Sequence, residues 1–229
     1  MTMISDNLQQ VQGRIAAACT GAGRDPASVA LLAVSKTFGA DAVQQAFDAG
    51  QRAFGENYAQ EGVEKIQRLR HLPIEWHMIG PVQSNKTRLV AENFDWVHSV
   101  DRLKTAQRLS EQRPAHLPPL QICLQVNADG GPNKSGVQPP DLLDLAAQVA
   151  ALPNLRLRGL MGIPEPAPNF EAASALFSRL RALFDSMKPA HPSVDTFSIG
   201  MSADLEAAIH SGSTLVRVGT AIFGDRVAA

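Results

Sequence analysis

VALLAVSK (residues 29–36) is a short, continuous apolar run that ends in a serine and a lysine. A run that is apolar at successive positions, rather than at every second one, is typical of a strand buried on both faces of a parallel sheet. Residues 5–22 carry apolar side chains at helical spacing, and DAVQQAFDAG (41–50) predicts a helix that ends at Gly50. The beginning of the chain therefore predicts a helix, a buried strand and a second helix.

The same alternation of strand and helix continues along the chain. Further strands are predicted at 52–57, 74–80, 95–100, 120–127, 155–161, 194–200 and 214–219. Further helices are predicted at 58–70, 84–92, 102–112, 139–152, 169–187 and 202–211. This pattern indicates a parallel sheet, and eight strands favour an α/β fold with a single (β/α)8 TIM barrel and an extra N-terminal helix. The alternative is an open doubly wound sheet, although no G-x-G-x-x-G sequence follows the first strand.

Length, composition and charge narrow the class of protein. The chain has 229 residues, 45% of them hydrophobic, and we expect one domain over 1–229 because barrels commonly have about this length. A net charge of -1 gives no electrostatic reason to expect binding to nucleic acid or to an anionic membrane. We expect neither a signal peptide nor a membrane helix, since no apolar run approaches the roughly 18 residues that such a helix needs. Cys19 and Cys123 lack metal-site spacing and are interpreted as reduced thiols, so we expect a cytoplasmic protein.

Lys36 is the sharpest single feature of the sequence. Barrel active sites lie at the carboxyl ends of the strands, and Lys36 closes the first strand. Partial burial there would disfavour the ammonium form and make the neutral amine available for Schiff-base formation with an aldehyde. The alternative is a lysine whose stem covers apolar surface while its charge reaches water at the rim.

Small polar residues follow the last two strands. Ser198, Gly200 and Ser202 come after the seventh strand and precede a helix, and Gly219 and Thr220 follow the eighth. Backbone N–H groups, hydroxyls and a helix N-terminus together favour an anion, and barrel phosphate sites commonly use these two loops. The alternative is ordinary helix capping and turn formation.

Arg217 stands in the otherwise apolar strand TLVRVG (214–219), on the same face as Gly219. If that face is the barrel lumen, the guanidinium must be paired or hydrogen-bonded; the alternative is an ion pair with a helix on the outside. A lysine, an anion site and an inward arginine at one mouth suit a phosphorylated aldehyde. Pyridoxal 5′-phosphate (PLP) is the commonest ligand of this kind.

Several longer motifs resemble those of the pyridoxal-phosphate homeostasis proteins, whose fold is like the N-terminal barrel of alanine racemase. They are AVSK (33–36), FGENYAQE (54–61), WHMIGPVQSNK (76–86), KSG (134–136), GLM (159–161), SIGMSADLEAAI (198–209) and RVGTAIFG (217–224). The resemblance covers nearly the whole chain. Met78 and Ile199 depart from the residues expected there, and the loop before Lys134 leaves any role of that lysine open.

The resemblance implies a cofactor site and a role for each residue in it. The site consists of Lys36, Asn57, Ser198, Ser202, Arg217, Gly219 and Thr220. Lys36 would carry the Schiff base, Arg217 would face the pyridine nitrogen and Asn57 would flank the cofactor. The remaining four would hold the phosphate, Ser202 with the weakest support.

The function implied is the storage, buffering or delivery of PLP in vitamin B6 homeostasis, without strong catalysis. A cation at the pyridine nitrogen cannot accept a hydrogen bond from it, so the nitrogen would stay unprotonated and the ring would be a weak electron sink. We expect a monomer that passes PLP to apoenzymes. One alternative is a PLP-dependent racemase or lyase that uses Asn57, His77 and His98 for proton transfer. We expect no second, β-rich domain like that of racemase, and Tyr58 is the sole tyrosine of the sequence. Another is an aldolase that forms a Schiff base on Lys36 without a cofactor.

Overall fold

Eight parallel strands form a closed barrel in which each strand pairs with the next along the chain and the last pairs with the first. The computed structural model describes residues 2–128 and 135–224, so Lys134 lies outside the described residues. The strands are Ala30–Val34 (β1), Ala53–Glu56 (β2), Glu75–Met78 (β3), Trp96–Val100 (β4), Leu120–Val126 (β5), Leu155–Gly162 (β6), Thr196–Ser198 (β7) and Leu215–Val218 (β8). The predicted TIM barrel is confirmed, and the open doubly wound alternative is wrong.

Helices surround the barrel. They are Met3–Gly21 (α1), Ala40–Asp48 (α2), Ala59–Arg68 (α3), Thr87–Asn93 (α4), Leu103–Gln112 (α5), Leu142–Ala150 (α6), Phe170–Met187 (α7), Leu205–His210 (α8) and Thr220–Phe223 (α9). The helix predicted at 202–211 begins later, because Asp204 Oδ1 accepts a 2.6 Å hydrogen bond from Met201 N and closes a turn before α8. None of the described helices is both long and apolar enough to cross a bilayer.

The apolar core has two parts because strand residues alternate between the two faces of the sheet. The larger part lies between strands and helices and includes the buried rings of Phe54, Phe177 and Phe197. Two small clusters consist of residues on the other face of the sheet. One contains Leu32 and Leu215, and the other consists of Trp96, Cys123 and Met161. These residues fill the barrel lumen, as expected for a barrel of eight strands.

Helix α1 is the predicted extra helix. Its apolar face, which includes Ile4, Leu8, Val11 and Ile15, is buried. It contacts α8 and α9, the two short helices that follow β7 and β8. The side chain of Asn7 donates a 3.0 Å hydrogen bond to the carbonyl oxygen of Ile222 in α9. Helix α1 therefore supports the two loops where the sequence predicts an anion site.

Candidate functional site

A cavity of about 340 Å³ opens at the carboxyl ends of the strands. Its apolar wall includes Val34, Phe38, Ile79 and Ile163. Six of the seven predicted site residues line it: Lys36, Asn57, Ser202, Arg217, Gly219 and Thr220. The fold thus brings residues from β1, β2, β7 and β8 to one place.

Lys36 is half-buried and is the second residue after the end of β1. The next residue, Thr37, has a φ of 70°, which is rare for a residue branched at Cβ. Its backbone N–H donates a 2.6 Å hydrogen bond to Glu61 Oε1 on α3. The chain reverses sharply at this point, and Glu61 holds the turn from which Lys36 projects.

A buried ion cluster behind Lys36 was not predicted from the sequence. Lys65 Nζ lies 2.8 Å from Glu56 Oε1 and 2.7 Å from Glu61 Oε1, and it donates to the carbonyl oxygen of Ser35. The Ser35 hydroxyl also donates to Glu56 Oε1, at 2.6 Å. Burial raises the pKa of Glu56 despite the nearby ammonium of Lys65. The cluster anchors the end of β1 to α3, and the spacing of Glu61 and Lys65, four residues apart on a helix, is the one signal that could have suggested it.

The anion side of the cavity is built from the loops after β7 and β8. Ser202 and Thr220 offer hydroxyl groups, and Gly219 lies beside them. Gly200 precedes Ser202 with a φ of 93°, and a Cβ there would lie 2.4 Å from the Cβ of Ala208. Helices α8 and α9 have only six and four residues, so we do not base the anion site on helix dipoles. The hydroxyls and backbone N–H groups of the two loops are the groups that favour an anion.

Arg217 lies in the lumen and is 4% exposed, yet it borders the cavity. Its Nη1 donates to the carbonyl oxygen of Ser198 at 2.6 Å and to the Ser198 hydroxyl at 2.8 Å, and its Nη2 donates to the carbonyl oxygen of Gly162 at 2.9 Å. Burial lowers its pKa to about 10, so it stays a cation at neutral pH. Within residues 2–128 and 135–224, three of the five guanidinium N–H groups are engaged, which leaves two for a ligand.

Ser198 is not among the residues that line the cavity, so this geometry does not support the predicted contact of Ser198 with a phosphate. Its side chain is fully buried and turned into the lumen, where its oxygen accepts from Arg217 and lies 3.0 Å from His98 Nδ1. Ser202, given the weaker support from sequence, is the serine that reaches the cavity. Ser198 therefore contacts the arginine and not the space beside it.

The two histidines proposed for proton transfer are engaged with other side chains. His77 Nδ1 and His98 Nε2 lie 2.9 Å apart, and His77 Nε2 lies 2.8 Å from Glu75 Oε1. Both rings are buried in the lumen and neither lines the cavity. Tyr58, at the mouth, is 61% exposed. The described ranges also hold no group of three or more His, Cys, Asp or Glu side chains placed to bind a metal ion.

Asn57 follows β2 at the rim of the cavity and is half-buried. The chain after β3 passes very close to it: a Cβ on Gly80 would lie 2.1 Å from the carbonyl oxygen of Asn57. Glycine at position 80 therefore lets the two strand ends meet. This packing fixes the backbone from which the Asn57 side chain projects.

Known proteins resemble this chain in sequence over nearly its whole length. The family described as "Alanine racemase, N-terminal domain" matches residues 6–227. The pyridoxal phosphate homeostasis protein of Pseudomonas aeruginosa is 59% identical, over 99% of this chain and 97% of the relative. The chain belongs to the pyridoxal phosphate homeostasis protein family. Its Escherichia coli member is 54% identical, over 99% of this chain and 98% of that one.

A solved structure supports the same assignment. PipY of Synechococcus elongatus, in its form with PLP bound, superimposes with a TM-score of 0.83 at 36% identity. The match covers 96% of this chain and all of PipY. Family membership and fold are thus supported by sequence and by structure.

Proposed function

We propose that this protein binds PLP as a Schiff base on Lys36 and acts in vitamin B6 homeostasis by storing, buffering or delivering the cofactor. One observation carries the proposal: a single cavity is lined by Lys36 and Arg217 together with two hydroxyl-bearing residues, Ser202 and Thr220. PipY, with 36% identity, has been solved with PLP bound.

The residues present fit this cofactor in size and chemistry. A cavity of about 340 Å³ lies at the lower end of the range for small-molecule sites. An amine, a buried guanidinium and two hydroxyls match an aldehyde, a ring nitrogen and a phosphate. When bound, PLP would supply the aldehyde and an electron-withdrawing ring.

Each residue then has a distinct task. Lys36 would form the Schiff base with the aldehyde, with release of water, and the turn held by Glu61 fixes the backbone beside this lysine. Ser202, Gly219 and Thr220 bind the phosphate, while Asn57 flanks the ligand. Arg217 donates to the ring nitrogen with the N–H groups that the protein leaves for it. Ser198 takes no direct part and contacts Arg217 instead.

The arginine also favours holding the cofactor over catalysis. Because its guanidinium stays protonated at neutral pH, it can only donate a hydrogen bond and cannot accept one from a protonated ring nitrogen. The ring nitrogen then stays unprotonated, and the ring withdraws electrons poorly from a bound amino acid. His77 and His98, which a racemase or lyase could use, bond to each other beneath Arg217. The proposal extends to a cytoplasmic, monomeric protein with PLP-dependent apoenzymes as recipients.

Borohydride reduction followed by peptide mass spectrometry tests the assignment of Lys36. We expect reduced PLP on the Lys36 peptide of the wild type and its loss from that peptide in Lys36→Ala. Lys104→Ala, which removes an exposed lysine on α5, serves as the control. An unchanged yield of protein-bound PLP in Lys36→Ala would refute the assignment.

A second measurement addresses catalysis. Exchange of the α-hydrogen of amino acids in D2O, followed by NMR, should be no faster with protein-bound PLP than with free PLP. Sustained exchange or turnover would favour the racemase or lyase alternative.

A further inference from the structure

A continuous chain of hydrogen bonds crosses the barrel lumen beneath the cavity. It runs from Glu75, at the amino end of β3, through His77, His98 and Ser198 to Arg217 on β8. The last four residues are each at most 4% exposed, whereas the Glu75 side chain is 52% exposed. The guanidinium beside the cavity is therefore connected to a solvent-facing carboxylate on the opposite side of the barrel.

The two ends of the chain fix the direction of its terminal hydrogen bonds. A guanidinium only donates, so the Ser198 hydroxyl oxygen accepts from Arg217 Nη1. An ionised carboxylate only accepts, so His77 Nε2 carries the hydrogen that it donates to Glu75 Oε1. The hydrogen bond from His77 holds the pKa of Glu75 below its usual value, which keeps this carboxylate ionised at neutral pH.

One arrangement of the two rings satisfies every group between these ends. Burial holds the pKa of His98 well below its usual value, so this ring is neutral. If His98 Nε2 donates to His77 Nδ1, then His98 Nδ1 accepts the hydrogen of the Ser198 hydroxyl. When His77 carries its hydrogen on Nε2 alone, the opposite tautomer of His98 would place two acceptor nitrogens 2.9 Å apart and would leave the Ser198 hydrogen facing an N–H.

The surroundings of the rings support this arrangement. Trp96 stacks on His77 with a ring separation of 5.2 Å and an angle of 11°, which fixes the plane of the imidazole. The nearby charged groups have other partners: Arg158 lies over the Trp96 ring and pairs with Asp195 at 2.7 Å. Asp95 accepts a hydrogen bond from a backbone N–H.

We propose that this chain of hydrogen bonds fixes both histidines as Nε2–H tautomers and, through Ser198, holds the Arg217 guanidinium in one orientation toward the cavity. Glu75, His77, His98 and Ser198 are then positioning residues that act through Arg217. The effect on a ligand rests on the proposed function, because Arg217 needs an acceptor in the cavity.

Imidazole nitrogen shifts test the tautomers without any ligand. Long-range 1H–15N spectra of ligand-free protein at neutral pH should show protonated Nε2 and unprotonated Nδ1 for His77 and His98. Variants His77→Asn and His98→Asn assign the signals. A hydrogen on Nδ1 of either ring would overturn the proposal.

Ser198→Ala tests the positioning of Arg217. It removes the hydroxyl that joins Arg217 to His98. The matched control is Ser213→Ala, another fully buried serine, whose hydroxyl donates to backbone carbonyls such as that of Ile199. We expect Ser198→Ala to shift the His98 Nδ1 resonance and to weaken PLP binding about tenfold, the effect of one lost hydrogen bond to a charged group. Ser213→Ala should do neither.

Glu75, at the other end of the chain of hydrogen bonds, gives a test that does not disturb the core. Glu75→Met removes the terminal acceptor at a half-exposed position, whereas Glu75→Gln keeps a carbonyl oxygen that can accept from His77. We expect the His77 signals to change in the Met variant and to be restored in the Gln variant. Unchanged signals in Glu75→Met, or unchanged PLP affinity in folded Ser198→Ala, would refute the proposal. If the wild type bound no PLP, the proposed function would fail, and the tautomers would still decide this inference.

Discussion

Arg14 on α1 donates a 2.9 Å hydrogen bond to the carbonyl oxygen of Ser202, a residue that lines the cavity. The same guanidinium pairs with both carboxylate oxygens of Glu206 on α8, at 2.9 and 3.0 Å. Helix α1 stands outside the repeating barrel pattern, yet through Arg14 it holds the loop that we propose binds the phosphate.

Arg14→Gln should weaken PLP binding because it frees the Ser202 loop. We expect a loss of about 3- to 10-fold, from one hydrogen bond and one partly exposed ion pair. Binding of pyridoxal, which lacks the phosphate, should change little. Titration of both ligands by absorbance gives the ratio of the two affinities.

The control for this prediction is Arg24→Gln. Arg24 donates to the carbonyl oxygen of Ile209, at the far end of α8, and should affect stability without affecting the ratio. An Arg14→Gln protein with the wild-type ratio would contradict the role given to α1.

The strained turn at Thr37 gives a second prediction. A β-branched residue with φ near 70° costs roughly 1–2 kcal/mol, and the hydrogen bond to Glu61 offsets part of that. Glu61→Ala should therefore weaken PLP retention, and Thr37→Gly in the same chain should restore part of it because glycine adopts this conformation without strain. Dissociation rates followed by absorbance measure the effect.

Glu64→Ala is the matched control, since Glu64 lies on the same helix and is exposed. If Thr37→Gly deepened the loss caused by Glu61→Ala, the strain argument would be incorrect.

The buried His98 ring makes stability depend on pH. Its pKa is well below the ordinary value of 6.5 in the folded protein because of burial, so the unfolded chain takes up a proton that the folded one does not. The contribution of His98 to the free energy of unfolding is therefore fully present above about pH 6.5. Below that pH the free energy of unfolding should fall by up to about 1.4 kcal/mol per pH unit. Urea unfolding at a series of pH values between about 5 and 8 measures the slope.

His98→Gln should flatten this slope, and His71→Gln, which changes an exposed ring, should leave it as it is. The slope is the quantity compared, since His98→Gln also lowers stability at every pH. Equal slopes in the wild type and in His98→Gln would rule out the prediction.

The buried pair of Glu56 and Lys65 gives a fourth prediction. Lys65→Met leaves the Glu56 carboxylate without its cation and should cost about 3–5 kcal/mol at neutral pH. Burial already raises the pKa of Glu56, and losing the ammonium raises it further, so the cost should shrink as the pH falls and the folded state binds a proton. Chemical denaturation at two pH values measures this change.

The double variant Glu56→Gln/Lys65→Met should recover most of the loss at neutral pH. A double variant as unstable as Lys65→Met alone would show that the packing of the lysine stem, and not the charge, is what matters.

Much of the site could be predicted because parallel strands end at one face. Lys36, Asn57 and Arg217 stand at or near the ends of strands that the apolar pattern identifies, and a closed barrel brings such ends together. Gly219 and Thr220 follow from the same reasoning.

Other parts of the site could not be predicted from the pattern. Whether Ser198 turns into the lumen or toward the mouth depends on strand tilt and register, which are properties of the closed sheet. The bonds of Arg14 to Ser202 and of Glu61 to Thr37 join residues on different elements, and only the packed fold determines them. The hydrogen-bond chain through His77 and His98 likewise needs three-dimensional distances.

The seam where β8 closes on β1 suggests an order of assembly for the fold. Ala30 pairs with Leu215 and Ala33 with Val218, contacts between residues far apart along the chain. Such contacts form slowly because the intervening chain must first be brought together. Arg217 pairs with Leu32 in this seam and Lys36 follows β1, so the cavity becomes complete only when β1 and β8 have paired. The recovery of ligand binding during refolding would then report the closure of the barrel. A ligand bound in the cavity would oppose the separation of β1 and β8.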